Sequence, residues 1–293
     1  MNDEVVVETR GLEKDAGGRQ ILKGVNLRAA SGTVVGLLGK NGAGKSTLLD
    51  LLLGFALPTA GEARVFGEPS SRLSAACKRR IGFVAQQDEL MSLMTGAQHL
   101  ALAASFHASW DHALIGRLAR EWEVPLDRRV GVLSGGERQK IATLLALGHR
   151  PDLLVMDEPV SGLDPVSRRA FMVTLLEIAA ETNRTILFSS HIVSDIERVA
   201  SHVWILREGA IAWQGELDQL KESTVRLVLR AERDFIAPPQ IAGSTHCYVQ
   251  GSSATLVMHD WSPDRLPGIE RQTGARVEVT PLTLEDIFLA VHA

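Results

Sequence analysis

Nine residues, Gly39-Lys40-Asn41-Gly42-Ala43-Gly44-Lys45-Ser46-Thr47, restrict this chain more than any other stretch. The apolar run Val34 to Leu38 precedes them and the leucine-rich run Leu48 to Leu53 follows. A buried strand therefore feeds a glycine-rich turn that opens into a helix. The spacing is that of the phosphate-binding loop, G-x-x-x-x-G-K-[ST], with Gly39, Gly44, Lys45 and Ser46 in place. Glycines Gly39, Gly42 and Gly44 let backbone N–H groups converge on phosphate oxygens with no Cβ in the way. The helix N-terminus behind them adds the positive end of a dipole. Lys45 suits the β- and γ-phosphates, and the Ser46 hydroxyl suits Mg²⁺. Asn41 and Thr47 belong to the same cradle. A glycine-rich turn with an incidental lysine is the plainer reading, and the flanking strand and helix weigh against it.

Length and charge bound the rest. A chain of 293 residues can bury one large core and a smaller one. Its net charge of −4 gives no global basic field, so no nucleic acid is expected as a partner. Cys77 and Cys247 stand far apart and outside any metal-ligand spacing, which suits a reducing cytoplasm. The N-terminal stretch is acidic and lacks a signal-type apolar segment. No window approaches the roughly 18 apolar residues that a membrane helix needs. If the protein serves transport, the pore is another chain.

Hydrophobic periodicity divides the chain into alternating strands and helices. Val5 to Val7 and Val25 to Ala29 read as strands flanking a turn at Gly17-Gly18, with a short strand at Ala63 to Phe66 after a turn at Pro58 to Gly61. Leu73 to Arg80 reads as a short helix and Ile81 to Val84 as a strand. Residues 88–130 switch to helical patterning, and Asp111 is placed to start the second helix there. Helices follow at Gly135 to His149, from Pro165, and at Ile192 to Ala200. Strands follow at Leu153 to Met156 and Thr185 to Ser189. Val203 to Leu206 and Ala210 to Trp213 form a hairpin. This alternation predicts an α/β fold with a largely parallel sheet covered on both faces. Beyond residue 222 the pattern changes. Strands at Val225 to Leu229, Ala254 to Met258 and Val277 to Val279, with helices at Pro263 to Gln272 and Leu284 to Val291, predict a small α+β domain spanning 223–293. That segment holds no phosphate loop, metal cluster or catalytic triad.

A second chemical feature sits at the end of the predicted strand Leu153 to Met156, where Asp157 and Glu158 follow. In phosphate-loop enzymes an acid in that place holds Mg²⁺, and a neighbouring carboxylate can orient an attacking water. An exposed acidic turn is the alternative, weakened by the phosphate loop upstream.

The string Leu133-Ser134-Gly135-Gly136-Glu137-Arg138-Gln139 combines a capping serine with a Gly-Gly helix start, a second anion-binding arrangement. With it, residues 1–222 resemble the nucleotide-binding subunits of ATP-binding cassette (ABC) proteins. The resemblance implies a P-loop ATPase core with a small antiparallel β subdomain and a helical insert at about 88–130. It implies that ATP and Mg²⁺ are bound by the Gly39 to Thr47 loop. It implies that Ser134, Gly135 and Gly136 cap the γ-phosphate held by a second nucleotide-binding subunit, in a homodimer or heterodimer. Gln86 fits the glutamine that touches Mg²⁺ or the attacking water. Asp157 fits the metal acid and Glu158 the catalytic base. Asp164, within Ser161-Gly162-Leu163-Asp164-Pro165, fits the residue that faces the dimer partner. His191, after Ser189-Ser190, fits the histidine that contacts γ-phosphate.

One position departs from the family. Ala16 stands where an aromatic residue usually stacks on adenine, which leaves the base contact without its usual partner; Arg19 is a neighbouring candidate. The segments DEPVSGLDP and SSHIVSDIERVA, with the closing PLTLEDIFLAVHA, most resemble bacterial exporters of drugs, antibiotics or cell-envelope components. The implied protein is a cytoplasmic ATPase, peripheral on the inner face of the membrane through a separate transmembrane permease. Two other classes compete. A non-transport ABC ATPase acting on nucleic acid or ribosomes would carry a long coiled coil or two cassettes, whereas fewer than a hundred residues separate Lys45 from Ser134 and there is one cassette. A regulator without turnover would lose the base, and Glu158 is present.

Overall fold

Residues 4–87, 89–182 and 184–292 are described in the computed structural model; the first residue of the predicted insert, Asp88, lies outside the described residues. The chain divides between Gln214 and Gly215 into two compact units. The sequence reading placed this division after 222. The helix at Leu217–Ser223 belongs with the second unit, where the Trp261 N–H donates to the Ser223 carbonyl at 2.8 Å.

The first unit opens with an antiparallel hairpin, β1 (Val5–Ala16) and β2 (Arg19–Ala30), joined at Gly17-Gly18. The strands run longer than the apolar runs suggested, because their outer halves alternate buried and solvent-facing residues. After β3 (Val34–Leu38) and α1 (Lys45–Leu53), β4 (Ala60–Val65) and the short β5 (Glu68–Pro69) complete a sheet ordered β2-β1-β4-β5. β4 takes up Ala60 and Gly61, which the sequence reading assigned to a turn.

The central sheet holds the phosphate loop. After α2 (Ala75–Lys78) come β6 (Ile81–Val84), α3 (Gly96–Ser105), α4 (His112–Glu121), α5 (Gly135–Leu147) and β7 (Leu153–Met156). Then follow α6 (Pro165–Thr182), β8 (Thr185–Ser190), α7 (Val193–Val199), β9 (His202–Arg207) and β10 (Ala210–Glu216). The order is β10-β9-β3-β8-β7-β6, with β9, β3, β8, β7 and β6 all parallel. β3, β7 and β8 are buried along their whole lengths, as continuous apolar runs in a doubly covered parallel sheet require. At the hairpin, Glu208 (φ 50°) and Gly209 (φ 82°) make the left-handed two-residue turn that matches strand twist.

Helix α7 docks directly on the phosphate-loop strand. A Cβ at Gly36 would lie 2.4 Å from Cγ2 of Ile196, so the isoleucine occupies the space a side chain would need. The helical insert is anchored by polar ties. Asp111 caps α4 by accepting from the Leu114 N–H at 2.9 Å, as its place in the sequence predicted. Lys140 on α5 donates to the Trp122 carbonyl (3.1 Å) and to Ser167 on α6 (3.2 Å). The Trp122 indole N–H reaches Thr174 at 3.3 Å.

The second unit contains α8 (Leu217–Ser223), β11 (Val225–Arg230), β12 (Ser244–Gln250), β13 (Ser253–Met258), α9 (Leu266–Thr273), β14 (Arg276–Pro281) and α10 (Leu284–His292). Its antiparallel sheet is ordered β12-β13-β11-β14. This is the order of a split β-α-β sandwich in which residues 231–243 replace the first crossover helix. β12 was not anticipated. It is an edge strand of mostly polar residues, bulged at His246 (φ 54°), whose short run Cys247 to Val249 includes a largely exposed Tyr248. The single helix expected over Pro263 to Gln272 is a 3₁₀ turn, Pro263–Arg265, followed by α9.

Candidate active site

Three parallel strands bring the chemistry together. β3 delivers the Gly39 to Thr47 loop, β7 delivers Asp157 and Glu158, and β8 delivers His191, all at their carboxyl ends. Ligand sites form there because consecutive strand ends open toward the same crevice. A cavity of about 340 Å³ lies at this point, lined by Asn41, Gly42, Gly44, Lys45, Ser46 and Thr47 with Gln86, Glu158 and Ile21. Gly44 turns at φ 106°, and a Cβ there would meet Leu22 at 2.9 Å and the Ile21 carbonyl at 3.2 Å. The loop therefore presses its backbone against β2 at Gly44.

Glu158 is the hub. One carboxylate oxygen lies 3.4 Å from Lys45 Nζ, with both side chains nearly buried. The other oxygen meets His191 Nδ1 at 3.0 Å and accepts from the Gln86 amide at 3.4 Å. Lys45 also donates to the Gly39 carbonyl at 2.9 Å. Glu158 has φ 47°, a left-handed conformation uncommon for a residue with a side chain and frequent where a site needs one group aimed in one direction. Behind it, the Ser189 hydroxyl donates to Asp157 Oδ1 at 2.5 Å and accepts from the Glu158 N–H at 2.8 Å.

Ser46, Gln86 and Asp157 line one further groove, of about 730 Å³, with Asp50, Phe55, Phe83 and Leu90. Their donors are all oxygen: a hydroxyl, a carboxamide and a carboxylate. That set suits a hard cation that keeps several waters and takes few protein ligands, as Mg²⁺ does beside phosphates. Asp50 faces the same space. Burial and then the charge of Asp157 push its carboxyl above the usual range.

The remaining predicted residues sit elsewhere. Ser134, Gly135 and Gly136 do not line the Lys45 cavity. Gly135 instead borders a separate cavity of about 550 Å³ with Gln86, Arg138, Ser161 and Gly162. Ser134 forms a reciprocal cap with Glu137: its hydroxyl and its N–H each donate to the Glu137 carboxylate at 2.7 Å, and the Glu137 N–H donates back at 3.3 Å. Those bonds hold the Glu137 carboxyl below its ordinary range. A Cβ on Gly136 would lie 2.8 Å from the Gly162 carbonyl, so that glycine is needed for packing within the chain. Asp164 caps α6, accepting from the N–H groups of Val166 (2.9 Å) and Ser167 (3.0 Å), and hydrogen bonds from Ser167 keep its carboxyl low. Ala16 is exposed at the end of β1, opposite Arg19, and is not among the cavity-lining residues.

Ile21, Ser189 and Asp50 carried no assigned role in the sequence. Ile21 is a cavity wall with no chemical signature. Ser189 belongs to the quoted Ser189-Ser190-His191 string, and a hydroxyl ending the apolar run Ile186 to Phe188 was its only signal.

The profile of the ABC transporter family matches residues 22–161. A Nod factor export ATP-binding protein I of Burkholderia lata is 31% identical over 292 residues, covering 97% of this chain and 95% of that protein. A bacitracin transport ATP-binding protein of Bacillus licheniformis is 32% identical over 219 residues, covering 74% of this chain and 72% of that one. Among solved structures, an ATP-binding subunit of an ABC transporter superposes with a TM-score of 0.65 at 29% identity, covering 74% of this chain and 92% of the other.

Proposed function

Because the chain belongs to the ATP-binding subunits of ABC transporters, and so binds and hydrolyses ATP, we propose that it powers a separate permease as one of two head-to-tail subunits of an exporter. The observation that carries the reading is the convergence of Lys45, His191 and Gln86 on the Glu158 carboxylate, beyond the ends of β3, β8, β6 and β7. Lys45 and the Gly39 to Thr47 backbone hold the triphosphate. Ser46, Asp157 and Gln86 would hold Mg²⁺, which would supply neutralisation of phosphate charge. Glu158 leaves Lys45 as phosphate arrives and turns its carboxylate to an attacking water. His191 steadies both that carboxylate and the γ-phosphate.

Ser134, Gly135 and Gly136 act on the partner's nucleotide. Their separation from Lys45 within one chain supports this reading, because the capped helix start has no phosphate of its own to bind. The permease takes the aromatic side of the groove beside the active site, at Phe55 and Phe83, rather than the side lined by Ser46 and Asp157. Phe55 stands 65% exposed there, its ring 5.3 Å from that of Phe83, and no helix among the described residues is long and apolar enough to cross a membrane. An exporter direction rests on the Nod factor export relative; the bacitracin transport relative supports transport alone. The chain would then work at the inner face of the membrane.

The test is ATP turnover by the purified chain, and its copurification with membranes from cells that carry the permease. Turnover without membrane association overturns the transport role, and absence of turnover overturns the enzymatic one.

A further inference from the structure

We propose that Ser189 is a positioning residue whose single hydroxyl fixes the metal acid and the catalytic base to the central strand of the sheet. The proposal rests on the ATPase reading and assigns a function to a residue outside the loop, the acidic pair and the histidine.

Ser189 is fully buried, at the end of an apolar run formed by Ile186, Leu187 and Phe188. A hydroxyl in such surroundings is costly unless both its proton and a lone pair are used. Both are used, and on adjacent residues: the proton goes to Asp157 Oδ1 at 2.5 Å and a lone pair takes the Glu158 N–H at 2.8 Å. Asp157 and Glu158 lie just past the Met156–Phe188 pair, where the register of β7 with β8 ends; the Asp157 N–H still donates to the Val84 carbonyl of β6 at 2.9 Å, and on the β8 side no ladder bond remains. The serine replaces the missing ladder contact. It also satisfies the N–H of a residue held at φ 47°, which would otherwise be a buried orphan next to a left-handed turn.

The placement adds direction. Ser189 pairs with Leu37 of β3 on its other side, just before the phosphate loop. One hydroxyl thus refers the acid pair to the same strand that is registered against the loop. His191 follows two residues later. Displacement of Glu158 from Lys45 would then turn the side chain while the backbone stays anchored.

Threonine and valine at 189 have the same shape and differ by one hydroxyl, and both suit a buried strand. The experiment compares Ser189→Thr and Ser189→Val for kcat and KM, for the Mg²⁺ concentration at half-saturation, and for ATP affinity in EDTA. Outer-shell partners of metal ligands typically carry about 10–100-fold in affinity or rate. Ser189→Val is expected to lose kcat and to need more Mg²⁺ on that scale, with ATP affinity in EDTA unchanged; Ser189→Thr is expected to keep wild-type values. The Mg²⁺ shift should also appear in a Glu158→Gln background, where binding is read without turnover. Wild-type kcat and Mg²⁺ dependence in Ser189→Val overturn the proposal, as does an equal loss in the two variants, which would mark a packing effect. Thermal melting identifies a valine variant that fails to fold, and Ser189→Ala then takes its place in the same comparison. An inactive wild-type chain would strike the ATPase reading, whereas an active one matched by Ser189→Val strikes only this assignment.

Discussion

The carboxylate of Glu158 spans the active site, 3.4 Å from Lys45 Nζ on one oxygen and 3.0 Å from His191 Nδ1 on the other. In the role proposed for it, Glu158 thus occupies the ammonium that a phosphate would need. Incoming nucleotide would then exchange one anion for another at Lys45 and free the Glu158 carboxylate for water.

Glu158→Gln removes the charge and keeps the shape. Hydrolysis should slow by about 10²-fold or more, the usual weight of a positioned base. Without Mg²⁺, ATP should bind tighter than to wild type, by up to about tenfold, since 1.4 kcal/mol of lost competition at Lys45 is a factor of ten. Calorimetry and a phosphate-release assay measure the two effects separately. Turnover at the wild-type rate removes Glu158 from the role of base.

Mixing subunits tests the composite site. A Ser134→Arg chain mixed with a Lys45→Ala chain should yield heterodimers with one doubly damaged site and one intact site, and so recover part of the activity that each variant lacks alone. Full activity of Ser134→Arg by itself would reduce the string to the helix cap it forms with Glu137.

Position 16 offers almost no face to a base. Ala16→Tyr should tighten ATP by roughly five- to 150-fold, the range corresponding to about 1–3 kcal/mol for stacking, and leave kcat unchanged. Wild type should discriminate weakly between ATP and GTP. An unchanged dissociation constant in the tyrosine variant would mean that the hairpin tip does not reach adenine, with Ile21 then the nearer wall.

Asp111 sets a pH signature in the helical insert. The capped Leu114 N–H, then Arg150, hold its carboxyl below the ordinary value of 3.8. A depressed folded-state value means the stabilisation is complete above pH 3.8 and is lost as pH falls through the folded value. Asp111→Asn keeps a capping oxygen without the charge. Its melting temperature should lie below wild type at neutral pH, and the gap should close below pH 3.8. A gap constant with pH would assign Asp111 to capping alone. Asp111→Ala should cost about 1 kcal/mol at neutral pH through the lost cap.

Much of the active site was legible because phosphate chemistry demands particular residue types at short spacing. Lys45, Asp157, Glu158 and His191 each follow a strand whose apolar run is visible in the sequence. What stayed hidden depends on contacts between distant segments. The Lys45–Glu158 pair joins two strand ends far apart in the chain. The role of Ser189 comes from the neighbouring strand and has no local pattern. In the fold, fully buried strands were readable. β12 was not, because polar residues fill most of this edge strand and its bulge at His246 breaks the alternation that would reveal it. Ser134 was read as a helix cap aimed at an anion; its bond to Glu137 accounts for the cap, and the anion depends on a second chain.

The contact between Gly36 and Ile196 bears on how such sequences can drift. A methyl at position 36 has room only if position 196 gives up volume or moves, so Gly36 is not free to enlarge alone. Across lineages a larger residue at position 36 should come with a smaller one at position 196. The phosphate-loop strand and the helix after the histidine would then share one evolutionary history, written in side-chain volume.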